Sequence, residues 1–416
     1  MNKVTLGFVA AAVCGLSVSS VSAAEGGNRA FNASLSVGAA YDDNYNNSGT
    51  NKLDSIEAYV SLDLSADFNM ENTFLSLRYR PRYSQWMDRD DDSNDLHHNF
   101  DVVYNHTFSS KLSLGINDSL MYQELPELRQ DGSLIRESND YFYNTLSGTL
   151  AYNLSSRIRT DVSGRHVMLR YEDNDGMADR ENYDIVVGSA SLRRQFSPEM
   201  SVAGYFSYED INYQGKGKTT IPIRLPGNRV EQVETVIPDR GAQTLQYGAG
   251  LEQTFSPNLV GSLRGGMTAK QFDAANTDEE TSPYGEVSLT FLPSPATRLS
   301  VGASRSFSKS DVITYVNSDR TSFSGGIGHD LTGRISLGLN ASYSLNEYDA
   351  KQTVDTVEVA EMQDGEETII TLGATASYRF NRRNWMDFNY TRSDLSSDLR
   401  DEYKRNRFGV NWRTRL

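Results

Sequence analysis

The sequence predicts an all-β fold: a transmembrane, antiparallel, up-and-down β-barrel of 18 strands, with 16 as the alternative count. Three observations lead there. Apolar and polar residues alternate with period two in long stretches from one end of the chain to the other. Short turns bounded by aromatic or leucine residues recur between longer polar segments. The last strand alternates up to the final residue, Leu416.

The first element is read as a signal peptide, residues 1–23. Lys3 supplies a positive start, Val4 to Leu16 is apolar or small, and Val21-Ser22-Ala23 offers the small-x-small pattern of a cleavage site. The apolar run is too short for a membrane-spanning helix. Cys14, the only cysteine, lies inside this segment, and Val13 stands where a lipoprotein signal wants a small residue. The mature chain, residues 24–416, is then one barrel domain without disulfide or thiol chemistry.

Composition permits that reading. Only 38% of residues are hydrophobic, while Tyr (23), Phe (17) and Gly (32) are plentiful and the 10 prolines few. A soluble chain this polar would struggle to fill a large core. A membrane barrel needs only alternate residues of each strand to be apolar.

The strands follow in order. Phe31, Ala33, Leu35, Val37, Ala39 and Tyr41 alternate with Asn32, Ser34, Ser36 and Gly38. Ile56 to Phe68 repeats the pattern, as do Leu245 to Phe255, Ile335 to Leu345 and Ile370 to Phe380. These runs exceed the five or six residues of ordinary soluble strands and match the roughly 9–11 needed to cross a bilayer at a tilt. Eight short turns recur, among them Phe108-Ser109-Ser110-Lys111-Leu112, Phe196-Ser197-Pro198-Glu199-Met200 and Phe255-Ser256-Pro257-Asn258-Leu259. Longer polar segments lie between them, which is the loop asymmetry of outer-membrane barrels. Eight turns join 16 strands, and one more at each end makes 18. The segment 209–241 is expected to lack regular structure because of Pro222, Pro226, Gly227 and Pro238, and Trp385–Thr391 reads poorly as a strand. Those two stretches leave 16 open. The alternation of Phe408, Val410, Trp412 and Leu416 resembles the C-terminal assembly signal of such barrels, so the barrel-assembly machinery is an expected partner, with outer-membrane lipid and lipopolysaccharide around the wall.

If the apolar set faces lipid, its alternates line a pore. Arg78, Arg80, Arg82, Arg159, Arg165, Arg264, Lys270, Arg379 and Arg407 fall on that face, with Tyr59, Trp86, Tyr205 and Tyr284. Arg413 and Arg415 share it, as do Glu57, Asp63, Asp67, Asp101, Asp161, Glu252 and Glu286. A barrel of 16 to 18 strands is wide enough for water. Its charges either select ions or pair across strands and stiffen the wall. Flat aromatic faces beside arginine suit sugar rings; filling gaps in the wall is the plainer role.

The formal charge of −15 argues against a nucleic-acid partner. Acidic runs such as Asp90-Asp91-Asp92 lack the glycine and distal glutamate of a calcium loop and read as solvated. His97 and His98 are adjacent on a strand and point to opposite faces, so they do not share a metal. No catalytic or phosphate-cradling motif is present. The expectation is no enzyme, no cofactor and no metal.

Local patterns resemble the second putative β-barrel porin family, whose members accompany exopolysaccharide export systems. Tyr41-Asp42-Asp43-Asn44-Tyr45 is similar to its aromatic-Asp-Asp-Asn opening, and Tyr79-Arg80-Pro81-Arg82-Tyr83 to its third strand. Asp95-Leu96-His97-His98 and the stretch Phe291–Arg305 are similar too, with the tightest matches in the first hundred residues. The resemblance implies a conduit in the bacterial outer membrane for a secreted polysaccharide. A periplasmic export protein and an inner-membrane polymerase or flippase would be its partners. The competing reading is a general diffusion porin or small-solute channel. In either case both ends of the mature chain would be periplasmic.

Overall fold

The computed structural model describes residues 29–416 except 90–92, 124–126, 129–133, 136–139, 173–180, 215–217, 226–228, 237–239, 274–278, 310–316, 350–363 and 400. The signal-peptide reading of residues 1–23 and the run Asp90-Asp91-Asp92 lie outside the described residues.

The strands are β1 (Arg29–Asp42), β2 (Ser55–Asn69), β3 (Thr73–Trp86), β4 (Asn94–Thr107) and β5 (Leu112–Gln123). After the short β6 (Glu127–Leu128) and β7 (Leu134–Ile135) come β8 (Tyr141–Asn153), β9 (Ile158–Tyr171), β10 (Tyr183–Ser197) and β11 (Met200–Tyr213). A hairpin of β12 (Lys218–Leu225) and β13 (Arg229–Val236) follows, then β14 (Ala242–Ser256), β15 (Leu259–Phe272), β16 (Glu280–Ser294) and β17 (Thr297–Lys309). The chain finishes with β18 (Asn317–Thr332), β19 (Ile335–Tyr348), β20 (Gly365–Arg379), β21 (Asn384–Ser397) and β22 (Tyr403–Arg415).

Eighteen of these form one antiparallel sheet. Each pairs with its neighbours in sequence, β5 with β8 and β11 with β14 bridging the small ribbons, and β22 returns to β1. The sheet closes. Closure leaves no strand edge with unpaired backbone groups, which is the condition for a sheet to sit in hydrocarbon.

Register fixes the two faces. Leu35 lies opposite Leu62 and Tyr41 opposite Ile56, while Ser34 meets Asp63 and Ala40 meets Glu57. A one-residue slip would turn every apolar side chain inward, so the pattern specifies the pairing strongly. The outer set is exposed over the whole wall, from Phe31 (60%) through Phe206 and Leu339 to Phe408. A continuous apolar exterior of this size is a membrane-facing surface.

The eight short turns all form where the sequence placed them. At several of them the register shifts by a bulge just before the turn, between Gln195 and Ser197, Thr254 and Ser256, and Asp330 and Thr332. The bulge takes Phe196, Phe255 and Leu331 out of the pairing and leaves them exposed at the rim. Arg29 and Leu416 both lie at this turn end.

Two expectations change. The Trp385 region is a full strand, β21, which settles the count at 18. Within the segment 209–241, β11 runs to Tyr213, and β12 pairs with β13 with Pro222 opposite Gln232, whereas Pro226, Gly227 and Pro238 lie outside the described residues. A two-stranded ribbon has a free edge on each strand, where the missing N–H of proline costs no ladder bond.

Candidate channel lumen

Every lumen candidate named from the sequence lies on the inward face, because each shares parity with Glu57 or is opposed to a residue that does. Its surroundings differ by region.

Around the seam where β22 meets β1, arginines and carboxylates interlock. Arg78 binds Asp63 through two nitrogens, at 2.8 and 2.5 Å, and Arg80 donates to Asp101 at 2.6 Å. Arg82 and Arg407 both donate to Glu57, which also accepts from the Ser84 hydroxyl at 2.5 Å. Arg82 also stacks over the Tyr59 ring, 3.7 Å from its centroid. Tyr59 itself lies against Gly38, where a Cβ would sit 2.5 Å from its ring and 2.7 Å from a backbone oxygen; only glycine fits there. The three successive arginines of β3 are thus wall ion pairs. Their joint fields are largely cancelled.

The opening motif of the resemblance is the clasp of this seam. Asp42 is fully buried and is held by Arg405, whose two nearest nitrogens lie 3.0 and 2.5 Å from its Oδ2. Asp43 accepts from the backbone and side-chain nitrogens of Asn406 at 2.6 and 2.7 Å. Asn44, also buried, donates to the carbonyls of Ser48 and Lys404. Tyr45 packs on Trp86 at 5.7 Å between centroids. Asn47 holds the loop with a φ of 50°, a left-handed conformation that asparagine tolerates. Sequence reasoning noted Asp42 as part of the opening motif and passed over Arg405. The signal was present, since Arg405 shares the parity of Arg407 and Arg413.

On β16 to β20 the same positions carry small hydroxyls. Ser288, Ser300, Ser304, Ser322, Ser324 and Ser342 line an inner groove of about 500 Å³. Ser262 and Ser288 bond at 2.7 Å, Ser322 and Ser344 at 3.0 Å. The groove offers hydrogen bonds and room, with Glu286 the one charged residue of its lining.

The third region, on β9 to β16, holds Arg159 with Asp161 at 2.7 Å, Arg165 with Glu209 at 3.7 Å, and Arg264 with Glu286 at 3.9 Å. Arg193 makes a two-pronged pair with Glu252 at 2.9 Å on both arms, a residue the sequence reading omitted. Its neighbour Arg194 faces outward over Phe196. At the turn end Arg379 donates to the Gly333 carbonyl at 2.6 Å, and Arg413 lies over Trp385 near Asp387.

Along the axis the lumen is asymmetric. At the loop end inward side chains are buried on most strands: Glu57, Trp86, His97, Tyr141, Tyr171, Tyr183, Lys270, Arg320, Asn346 and Glu367. Trp86 and Lys270 were expected on an open channel wall. Both are instead covered, Trp86 donating to Asp95 at 2.5 Å and Lys270 to Asn317 at 2.7 Å. At the turn end the side chains of Arg159 and Arg264 are half exposed. His97 faces inward near Asp95, whereas His98 faces outward, its ring stacked on Tyr79. Among the described residues no group of three or more potential ligands could hold a metal ion.

A closed barrel with a polar inner wall and an apolar exterior has the layout of a porin. Residues 226–416 match the family described as Putative beta-barrel porin 2. The match is with the family the sequence resembled, but it lies toward the C-terminus rather than in the first hundred residues. No curated protein sequence matches. Among solved structures, Acinetobacter baumannii OccAB4 is similar at 14% identity, over 93% of this chain and 98% of that one, with a TM-score of 0.47. Pseudomonas aeruginosa OccK2 (OpdF), in complex with glucuronate, is similar at 12% identity over the same shares, also with a TM-score of 0.47. The chain is a porin-like barrel.

Proposed function

We propose that this protein is an outer-membrane channel that passes small polar solutes, with the turn end and both chain ends in the periplasm. The observation that carries this is the inner wall: ion pairs and serine hydroxyls surround a lumen that is open toward the turn end and narrowed by buried side chains toward the loop end. Such a wall solvates a small polar molecule at every level without holding it tightly. Short turns at one end and long connections at the other give the orientation, since outer-membrane barrels keep their short turns periplasmic.

This reading replaces polysaccharide export as the leading one. A polymer needs a wide passage through the full length, and the covered loop-end belt supports a narrower path. The deciding experiment compares two phenotypes of a deletion strain. Reduced uptake of small solutes with unchanged surface polysaccharide is expected; lost polysaccharide with unchanged uptake would restore the export reading. In planar bilayers the purified barrel is expected to give discrete conductance steps, and a silent membrane would remove the channel altogether.

A further inference from the structure

We infer that the lumen carries a binding station for a saccharide ring on a tyrosine platform formed by Tyr205 and Tyr284. The inference rests on the channel reading and names its solute class. Tyr205 on β11 and Tyr284 on β16 reach toward each other across β14 and β15. Tyr205, Gly248, Gly266 and Tyr284 occupy one row of directly opposed positions.

The glycines make the platform. A Cβ on Gly266 would lie 2.8 Å from the Tyr284 ring and 2.0 Å from a backbone oxygen, and one on Gly248 would lie 2.5 Å from the Tyr284 hydroxyl. The ring of Tyr284 therefore rests directly on backbone. Tyr205 crosses from the other side, its hydroxyl donating to the carbonyls of Ala249 and Gly265 at 3.3 Å. The two ring centroids stand 6.0 Å apart at 63°, an aromatic corner on the wall. Tyrosines merely filling a gap would be packed on both faces; here both remain only partly buried.

The flanks choose the ligand. Arg193 with Glu252 and Arg264 with Glu286 stand beside the corner, and a pocket of about 270 Å³ takes in Tyr205, Arg193, Glu252, Arg264 and Asp161 with serine hydroxyls. Arg159 balances Asp161. Three cations against three carboxylates give no net charge, so the station does not select an ion. Each pair presents a donor and an acceptor side by side, the arrangement that meets adjacent hydroxyls. An aromatic face with a polar rim suits a molecule that is apolar on one face and hydroxylated at its edge. A neutral pyranose has that form.

The test uses the full barrel in planar bilayers with maltose as probe. Maltose is expected to lower open-channel current in a saturable way. Tyr205→Ala with Tyr284→Ala should raise the half-blocking concentration at least tenfold, while the two Phe variants, which keep the rings, should stay within threefold. Conducting channels that maltose does not block, or Ala variants that block as well as the parent, overturn the station and leave the channel intact. Should the barrel not conduct, calorimetric titration of maltose into the detergent-solubilised protein decides instead: saturable heat lost in the Ala variants supports the station, and none refutes it. Gly266→Val, expected to displace Tyr284, should weaken block as the Ala variants do.

Discussion

The seam wall and the serine wall occupy equivalent inward positions of the same barrel and solve the same problem differently. At β22, β1, β2 and β3, long charged side chains cross between strands and neutralise one another, with Glu57 at 1% exposure between Arg82 and Arg407. On β16 to β20, side chains of one or two heavy atoms satisfy each other across adjacent strands and leave a groove. The seam joins the first and last strands over nine opposed pairs, Ser34 to Asp42, against the fourteen of β1 with β2. Side-chain pairing reinforces this seam. The serine wall includes a register as short, eight pairs between β16 and β17, and carries no such clasp.

Breaking the clasp should give the largest effect. Asp42→Ala leaves Arg405 without its buried counter-charge, and removal of one partner from a buried pair costs about 3–5 kcal/mol. The folded band on unboiled gels should then melt at a much lower temperature, and an unchanged midpoint would deny the seam its role. Glu57→Gln should destabilise similarly, because Arg82 and Arg407 share that one carboxylate.

A smaller loss is expected at Gly38→Val. The added atoms overlap Tyr59 and the Val410 carbonyl, and overpacking costs about 1–3 kcal/mol. The same melting assay measures it, and Tyr59→Ala in the same chain should return part of the loss.

Selectivity separates the walls next. Neutralising Arg78, Arg80 and Arg82 together to Gln strips the cations from Asp63, Asp101 and Glu57, so the reversal potential should shift toward cation selectivity. The converse, Asp63→Asn with Asp101→Asn, should shift it toward anions. If both leave the potential unmoved, these pairs lie away from the ion path.

The smallest effect is expected on the serine wall. Ser322→Ala removes one exchange with Ser344, about 0.5–1.5 kcal/mol at most for a hydrogen bond, and less where water replaces it. Conductance should hold within a few per cent. A marked fall would show that the hydroxyls, rather than the open space, carry the solute.

Much of this was legible in the chain. Strict period two told the faces apart, since a side chain on a strand has only two directions, and the lengths of the runs identified a bilayer crossing. Eight turns placed the strands correctly even though β21 read poorly. Its outer apolar run is short, Met386, Phe388 and Tyr390 before Arg392 and Asp394, and the inward Trp385 blurs the alternation there. The segment with Pro222 was misjudged because proline forbids a central strand and not a ribbon.

What the sequence by itself determined is therefore the barrel and the two faces of its strands, both consequences of local periodicity, while the count of 18 was settled by the closed sheet. Only the tertiary structure decided which charges are spent on one another. Asp42 and Arg405 are 363 residues apart, and no local pattern couples them until the sheet closes. The same holds for the covering of Trp86 and Lys270 and for the meeting of Tyr205 with Tyr284 across two intervening strands. A partner in a barrel is set by strand order and register, and those exist only in the closed sheet.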